Sequence, residues 1–266
     1  GIGGKTALDY LIKVKELPFT EAVERIVGRA AERPSVFHAR AQPEKPKTLL
    51  LPPKSNSNTR VIAYLKSRGI DGGLIEQCIR SGQLYESLPY HNAVFVGMDR
   101  NGTPRYACLR GIGTDFKGEA TGSDKRFSFA LPATGESRML CVFESAIDLL
   151  SYATMAQAGG LSWRSQHLLS LAGVYKPQKE TQEHRLPLAL TQYLKDHAEI
   201  KTICLCLDND MTGRSATEAI RQQLAERYKV ASAFPRQGKD YNDWLCIRMG
   251  LQPAKENPMT ERSFAR

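Results

Sequence analysis

The chain has 266 residues, 41% hydrophobic and 24% charged, a globular composition long enough for two modest domains. No apolar run approaches the roughly 20 residues of a membrane-spanning helix, and the six cysteines, with no CxxC pair, and five scattered histidines offer no zinc-ligand spacing. The net charge of +9 leaves two readings, a well-solvated surface or an electrostatic footprint for a polyanion.

The first residue is not methionine, and "GIGGKTALDY" reads as the interior of a longer chain. Its "GGKT" looks like the end of a P-loop but lacks the upstream glycine and the preceding strand. Residues 5–30 are expected to form two short amphipathic helices broken at Pro18, the second capped by Thr20 with Glu21 and Glu24 in its first turn. Residues 33–58, rich in Pro, Lys, Ser and Asn, read as a linker. Between residues 37 and 70, seven Lys/Arg (Arg40, Lys45, Lys47, Lys54, Arg60, Lys66, Arg68) face one acid, Glu44, a local excess of +6.

From Thr59, "TRVIAYLKSRGIDGGLIEQCIRSGQLYES" predicts two helices joined at "RGIDGG", and "NAVFVGMDRNGTPRYACLRG" a β-hairpin turning at "DRNG". "FKGEATGSDKRFSFALP" continues as short strands and glycine turns, so residues 59–135 read as a small α+β module. Residues 136–250 change rhythm. "RMLCVFE", "HLLSLAG", "KTICLCLD" and "KVASAFP" are strands, each followed by a helical stretch, which predicts a parallel sheet covered by helices. Residues 251–266 look like a loose tail. The cysteines, four of them inside apolar runs, read as small buried hydrophobes in a reducing, cytoplasmic compartment.

Three of these strands deliver acids to one sheet edge. "LCVFE" ends in Glu144, with Asp148 one helical turn later on the same face. "LCLDND" ends in Asp208 and Asp210, which strand alternation puts on one side. "KVASAFP" opens into Lys239, Asp240, Asn242 and Asp243. Ligands of open parallel sheets bind beyond the carboxyl ends of the strands, and Gly213 lets the chain turn close to whatever binds there. Carboxylates gathered so closely repel unless a cation sits among them. Hard oxygens suit Mg²⁺ or Mn²⁺, with waters and phosphates completing the shell. The structural alternative is that Asp208, Asp210 or Glu144 serves as a helix N-cap.

"VFESAIDLLS", "LCLDNDMTG" and "GKDYND", in this order, resemble the three acidic motifs of the toprim domain, shared by bacterial primases, topoisomerases, recombination-associated proteins and some nucleases. The resemblance makes Glu144 the catalytic glutamate, Asp208 and Asp210 the DxD pair, and Asp148 and Asp240 accessory metal-facing acids. The chain departs from the pattern at Ser145, where glycine is usual, and at Asn242, where the second acid of the third motif would fall. Upstream, "GSDKRFSFAL" and the hairpin resemble the module preceding toprim in primase-like proteins of mobile elements. "GGKTALDYLIKVKELPFTEAVERI" resembles the helical end of a primase zinc-binding domain, which implies zinc only in a region before residue 1.

The domains implied are a helical remnant (1–32), a basic linker (33–58), a primase-like module (59–135), a toprim catalytic domain (136–250) with a four-stranded, mainly parallel sheet flanked by helices, and the tail. The resemblance implies primer synthesis on a single-stranded DNA template from nucleoside triphosphates, with a helicase as a further partner and no membrane. Arg110, Lys125, Arg126, Arg105 and Lys239 would handle template and nucleotide phosphates, although exposed Lys and Arg are often only solvated. Tyr106, Phe127 and Phe129 would stack on bases or belong to the core. A metal-dependent nuclease or nicking enzyme uses the same acids. A DNA-binding accessory protein with a degenerate site is the third possibility, favoured by Ser145 and Asn242. A topoisomerase would need a nucleophilic tyrosine from a separate domain.

Overall fold

The computed structural model describes residues 48–173 and 186–253, together with Leu11 and Lys15. The chain divides into two compact units, residues 1–46 and 47–266. The helices expected over 5–30, the first part of the expected linker and the tail beyond residue 253 lie outside the described residues.

Helix α1 (Thr59–Ser67) buries Val61 and Leu65. Helix α2 (Gly72–Arg80) starts where the Asp71 carboxylate accepts from the Leu74 N–H at 2.9 Å, and it buries Leu74, Ile75 and Cys78. Strands β1 (Leu84–Glu86), β2 (Ala93–Met98), β3 (Pro104–Arg110) and β4 (Lys117–Glu119) form an antiparallel sheet in chain order. The β2–β3 turn is built by Asp99, whose side chain accepts from the N–H groups of Asn101 and Thr103 at 3.0 Å. Residues 48–58, read from sequence as the end of a linker, lie instead along this sheet: Leu50 N–H donates to Thr121 O, Ser55 N–H to Glu86 O, and Leu88 N–H to Pro53 O. Their backbone polar groups have found partners, which a proline- and serine-rich composition does not announce.

The second sheet contains β5 (Ala130–Leu131), β6 (Met139–Phe143), β7 (His167–Ser170), β8 (Thr202–Cys206) and β9 (Lys229–Ser232), in the order β5-β7-β6-β8-β9. The four parallel strands are those expected; β5 is a fifth, pairing antiparallel with β7. It comes from the stretch assigned to the upstream module, and two residues are too few for alternation to show. Helices α3 (Ala146–Ala158), α4 (Leu188–Asp196), α5 (Met211–Leu224) and α6 (Tyr241–Arg248) cover the sheet.

Alternation sorts the central strands between two cores. Leu140, Val142, Ile203 and Leu205 pack with Leu190, Ala216 and Ile220 of α4 and α5. Cys141, Phe143 and Cys206 pack on the other face with Leu149 and Leu150 of α3, Tyr241 and Leu245 of α6, and Val61, Leu65, Leu74 and Ile75 of α1 and α2. Helix α3 lies inside this second core, buried at Ala146, Ile147, Leu149, Leu150, Ala153 and Met155. One core therefore serves both the upstream module and the parallel sheet.

Candidate active site

The acids gather where the parallel strands end, but by helix capping rather than by strand alternation. Strand β8 stops at Cys206, so Asp208 and Asp210 lie in the turn beyond it. Asp210 is the N-cap of α5, with Oδ1 accepting from Gly213 N–H at 2.8 Å. Asp240 caps α6, accepting from Asp243 N–H at 2.7 Å. Ser145, not Glu144, caps α3, accepting from Asp148 N–H at 3.2 Å. Three helix N-termini thus point at one place, and their partial positive charge offsets part of the acidic charge.

The capping role of Asp210 does not consume its carboxylate. Its Oδ2 lies 3.6 Å from Lys239 Nζ, and Asp208 Oδ2 lies 3.7 Å from the same nitrogen. Lys239, expected to meet phosphates, is therefore seated between the two aspartates. The turn is held from below by Asn209, whose N–H donates to Lys239 O at 2.7 Å and whose side-chain carbonyl accepts from Arg214. Gly213 works differently from the turn expected of it. It is helical, and a Cβ there would stand 2.2 Å from the Asp208 carbonyl oxygen, so its bareness lets α5 approach the aspartate turn.

Burial and like charge hold several of these carboxyls protonated well above their ordinary range. Glu144 is pushed up to about 7 by burial, then by Asp148 and Asp210. Asp208 is pushed up to about 7 by burial, then by Glu144 and Asp240. Asp240 reaches about 7 through burial and Asp148. Asp148 reaches about 6 through burial and Asp208, against the Ser145 hydroxyl and the Asn242 N–H, which donate to its two oxygens at 2.6 and 3.3 Å.

The two departures from the acidic pattern have structural roles. Ser145 caps α3 and holds Asp148. Asn242, 1% exposed, donates through Nδ2 to Ser151 Oγ at 2.9 Å and to Arg68 O at 3.0 Å, tying α6 to α3 and to the end of α1. Asp243 accepts from Lys239 N–H at 3.0 Å and so shapes the loop rather than the acidic cluster. Arg68, counted from sequence in the basic stretch 37–70, moderates the rise at Asp148 and Asp240. No local pattern in the sequence announces that contact; 80 residues separate Arg68 from Asp148.

The basic residues of the upstream module are less free than their spacing implies. Lys125 Nζ lies 3.0 Å from Glu119. Arg126 grips Asp124 through Nε and Nη2 at 2.5–3.0 Å. Arg105 and Arg126 both lie over the Phe127 ring, at 5.5 and 5.6 Å. Arg110 ends β3 opposite Lys117 of β4. Tyr106 and Phe129 are fully buried and belong to the core, and Phe127 is half-buried. Exposed ion pairs such as these are weak, worth about 0.2–1 kcal/mol, and exchange readily for a phosphate.

Among the described residues, the sets of three ligating atoms within 4.8 Å of one another are Cys141–Cys204–Cys206 and His167–His197–Glu199. The acidic cluster is wider than that. Its chemistry nonetheless fits a hard divalent cation. The donors are carboxylates, their mutual repulsion raises their proton affinity, and a lysine ammonium already stands between two of them.

A parallel sheet covered by helices, with acids at its carboxyl edge, has the architecture expected of a toprim-like domain. Residues 141–245 match the family model described as Toprim-like, and residues 63–135 match a model described as a protein of unknown function, DUF3991. A 65 kDa protein of Zymomonas mobilis is 26% identical over 212 residues, covering 75% of this chain and 33% of that protein. An uncharacterized protein of Bacillus anthracis, pXO2-78, is 27% identical over 168 residues, covering 59% of this chain and 44% of that protein. The chain thus spans less than half the length of either relative. Among solved structures, the primase fragment of the bacteriophage T7 primase-helicase protein is similar at 19% identity with a TM-score of 0.46, covering 70% of this chain and 69% of that one. No helix among the described residues is long and apolar enough to cross a membrane.

Proposed function

We propose that this chain carries out metal-dependent nucleotidyl transfer on single-stranded DNA, as the primer-synthesising part of a primase-like protein of a mobile element. The observation that carries the reading is the acidic edge: Glu144, Asp148, Asp208, Asp210 and Asp240 gathered within a toprim-like domain, with Lys239 between Asp208 and Asp210. Asp208 and Asp210 would hold Mg²⁺ or Mn²⁺, with Glu144 as general base or as a further ligand and Asp148 and Asp240 behind them. When bound, the cation supplies charge neutralisation for phosphates and lowers the cost of ionising a hydroxyl.

The chain's own residues do the rest. Glu144 is half-buried, is not a helix cap, and has its pKa near neutrality, where a base both accepts a proton and releases it. It would take the proton from a primer 3′-hydroxyl. Lys239 would give up its contact with the aspartates and move to the triphosphate. Arg105, Arg110, Lys125 and Arg126 would exchange their carboxylate partners or solvent for template and nucleotide phosphates. A helicase partner belongs to the same reading.

One observation favours the accessory DNA-binding alternative: the Lys239 ammonium already neutralises Asp208 and Asp210 without any metal. Incubation with single-stranded template, Mg²⁺ or Mn²⁺ and labelled nucleoside triphosphates separates the readings. Template-dependent extension supports primer synthesis. Shortened template means a nuclease, and unchanged template and nucleotides mean an accessory binder; either outcome overturns the proposal.

A further inference from the structure

At the opposite end of the same sheet, where the parallel strands begin, three donors meet that the sequence scatters. His167 opens β7, His197 caps the end of α4, and Glu199 follows in the turn to β8. His167 is 3% exposed. Its Nδ1 lies 3.0 Å from the Tyr193 hydroxyl, while its Nε2 is buried with no hydrogen-bond partner and lies 3.8 Å from Glu199 Oε1. The same Oε1 is 2.9 Å from His197 Nδ1. The two imidazoles are 4.6 Å apart, and Tyr193 stacks on His197 at 4.3 Å.

A buried ring nitrogen without a partner forfeits a hydrogen bond, a state that native interiors rarely leave standing. Here that nitrogen faces a carboxylate and a second imidazole. Two histidines and one carboxylate are an established zinc donor set, with ligand bonds of about 2.0–2.2 Å, which puts tetrahedral donors roughly 3.3 Å apart. The observed 2.9 and 3.8 Å bracket that spacing. Nδ1 accepts from the Ala133 N–H at 3.4 Å and lies 3.0 Å from the Tyr193 hydroxyl, outer contacts that fix the ring with Nε2 facing inward, where a cation would displace its proton. Access is provided on one side: the Glu199 side chain is 47% exposed and borders a cavity lined by Gly135, Glu136, Ser137 and Arg138.

We propose that His167, His197 and Glu199 bind one borderline divalent cation of the Zn²⁺ type, with water from the cavity as fourth ligand, pinning α4 to the start of β7. The site lies at the amino-terminal sheet edge, away from the acidic cluster, and does not depend on the reading of that cluster. Its role is structural.

The test uses the whole chain carrying Asp208→Asn and Asp210→Asn, so that binding at the acidic edge is not counted. Zinc titration against a chromogenic chelator should give one equivalent bound. Substituted Co²⁺ should show the visible absorption of a tetrahedral nitrogen and oxygen site. Free zinc at about a hundredfold above Kd should raise Tm by roughly 5–10 °C, reversed by chelator. Glu199→Gln and His197→Gln alter ligands that face solvent more than His167 does; each should keep its circular dichroism and lose the bound equivalent. Cys204→Ser should keep it. Zinc uptake that survives both ligand substitutions, disappears with Cys204→Ser, or is absent from the parent chain would overturn the proposal.

Discussion

At the scale of single residues, the acidic edge is a set of carboxyls held above their ordinary pKa by each other and by burial. The consequence for stability has a definite sign. Glu144, Asp208 and Asp240 titrate near 7 in the folded chain and near about 4 when unfolded. Between those values the folded state holds protons that the unfolded state has released, so metal-free stability falls as pH rises from about 4 to about 7 and levels off above. In chelator, Tm should drop across that window, and Asp208→Asn should flatten the drop. Identical pH profiles for the parent and Asp208→Asn would contradict the repulsion. Glu144→Gln keeps size and removes the base. It should slow primer extension by about 10²–10⁴-fold with single-stranded DNA affinity unchanged. Extension at the parent rate would remove Glu144 from the chemistry.

Which residues are acidic, and that they meet, was legible because each follows an apolar run in a strand–helix alternation. How they meet was not. Period-two reasoning reached Asp208 and Asp210, although the strand ends at Cys206 and helix capping does the placing. Capping and metal binding were set against each other in the sequence, yet Asp210 caps with Oδ1 and keeps Oδ2 turned to Lys239. The places where the acidic pattern lapses, Ser145 and Asn242, are hydrogen-bonding residues for buried groups. Their partners Ser151 and Arg68 lie 91 and 174 residues from Asn242. Such pairings leave no local trace, and the 30 residues between His167 and His197 hid that meeting as well.

At the scale of elements, the strand–helix alternation announced all four parallel strands and their helices, since each apolar run is long enough to show its period. The fifth strand and the docking of residues 48–58 escaped because both rest on backbone pairing by short or polar segments. Helix α5 makes a close contact with the aspartate turn. Gly213→Ala would drive a methyl to 2.2 Å from Asp208 O, forcing helix and turn apart. Overpacking of this kind costs about 1–3 kcal/mol. The chemical midpoint in urea should fall accordingly, and activity should fall further than stability because the turn carries both aspartates. A variant with unchanged midpoint and activity would show that the turn yields without consequence.

At the scale of the whole molecule, the net charge of +9 is distributed unevenly. Part of the basic charge is matched locally, as at Lys125–Glu119 and Arg126–Asp124, so fewer phosphates should be neutralised than Lys and Arg counts imply. Single-stranded DNA affinity should fall with salt, and each phosphate contact removed should lower the log–log slope by about 0.7. Arg110→Ala should lower it by one contact. Lys125→Ala should lower it by less, because Glu119 competes for that lysine. Affinity indifferent to salt between about 50 and 200 mM would rule out the electrostatic footprint.

The antiparallel strand β5 has a bearing on descent. The two stretches recognised as separate families, 63–135 and 141–245, share a core and a sheet, and the first lends the second its edge. A gene fragment beginning at residue 136 would encode β7 with a bare, apolar margin open to pairing with other chains. It should express as aggregate, whereas a fragment from residue 47 should stay dispersed, as size-exclusion chromatography of the two would read. Recombination that cuts between the stretches therefore strips the second of its edge strand and divides their common core. Genomes should carry them in tandem, in that order, as a single heritable piece.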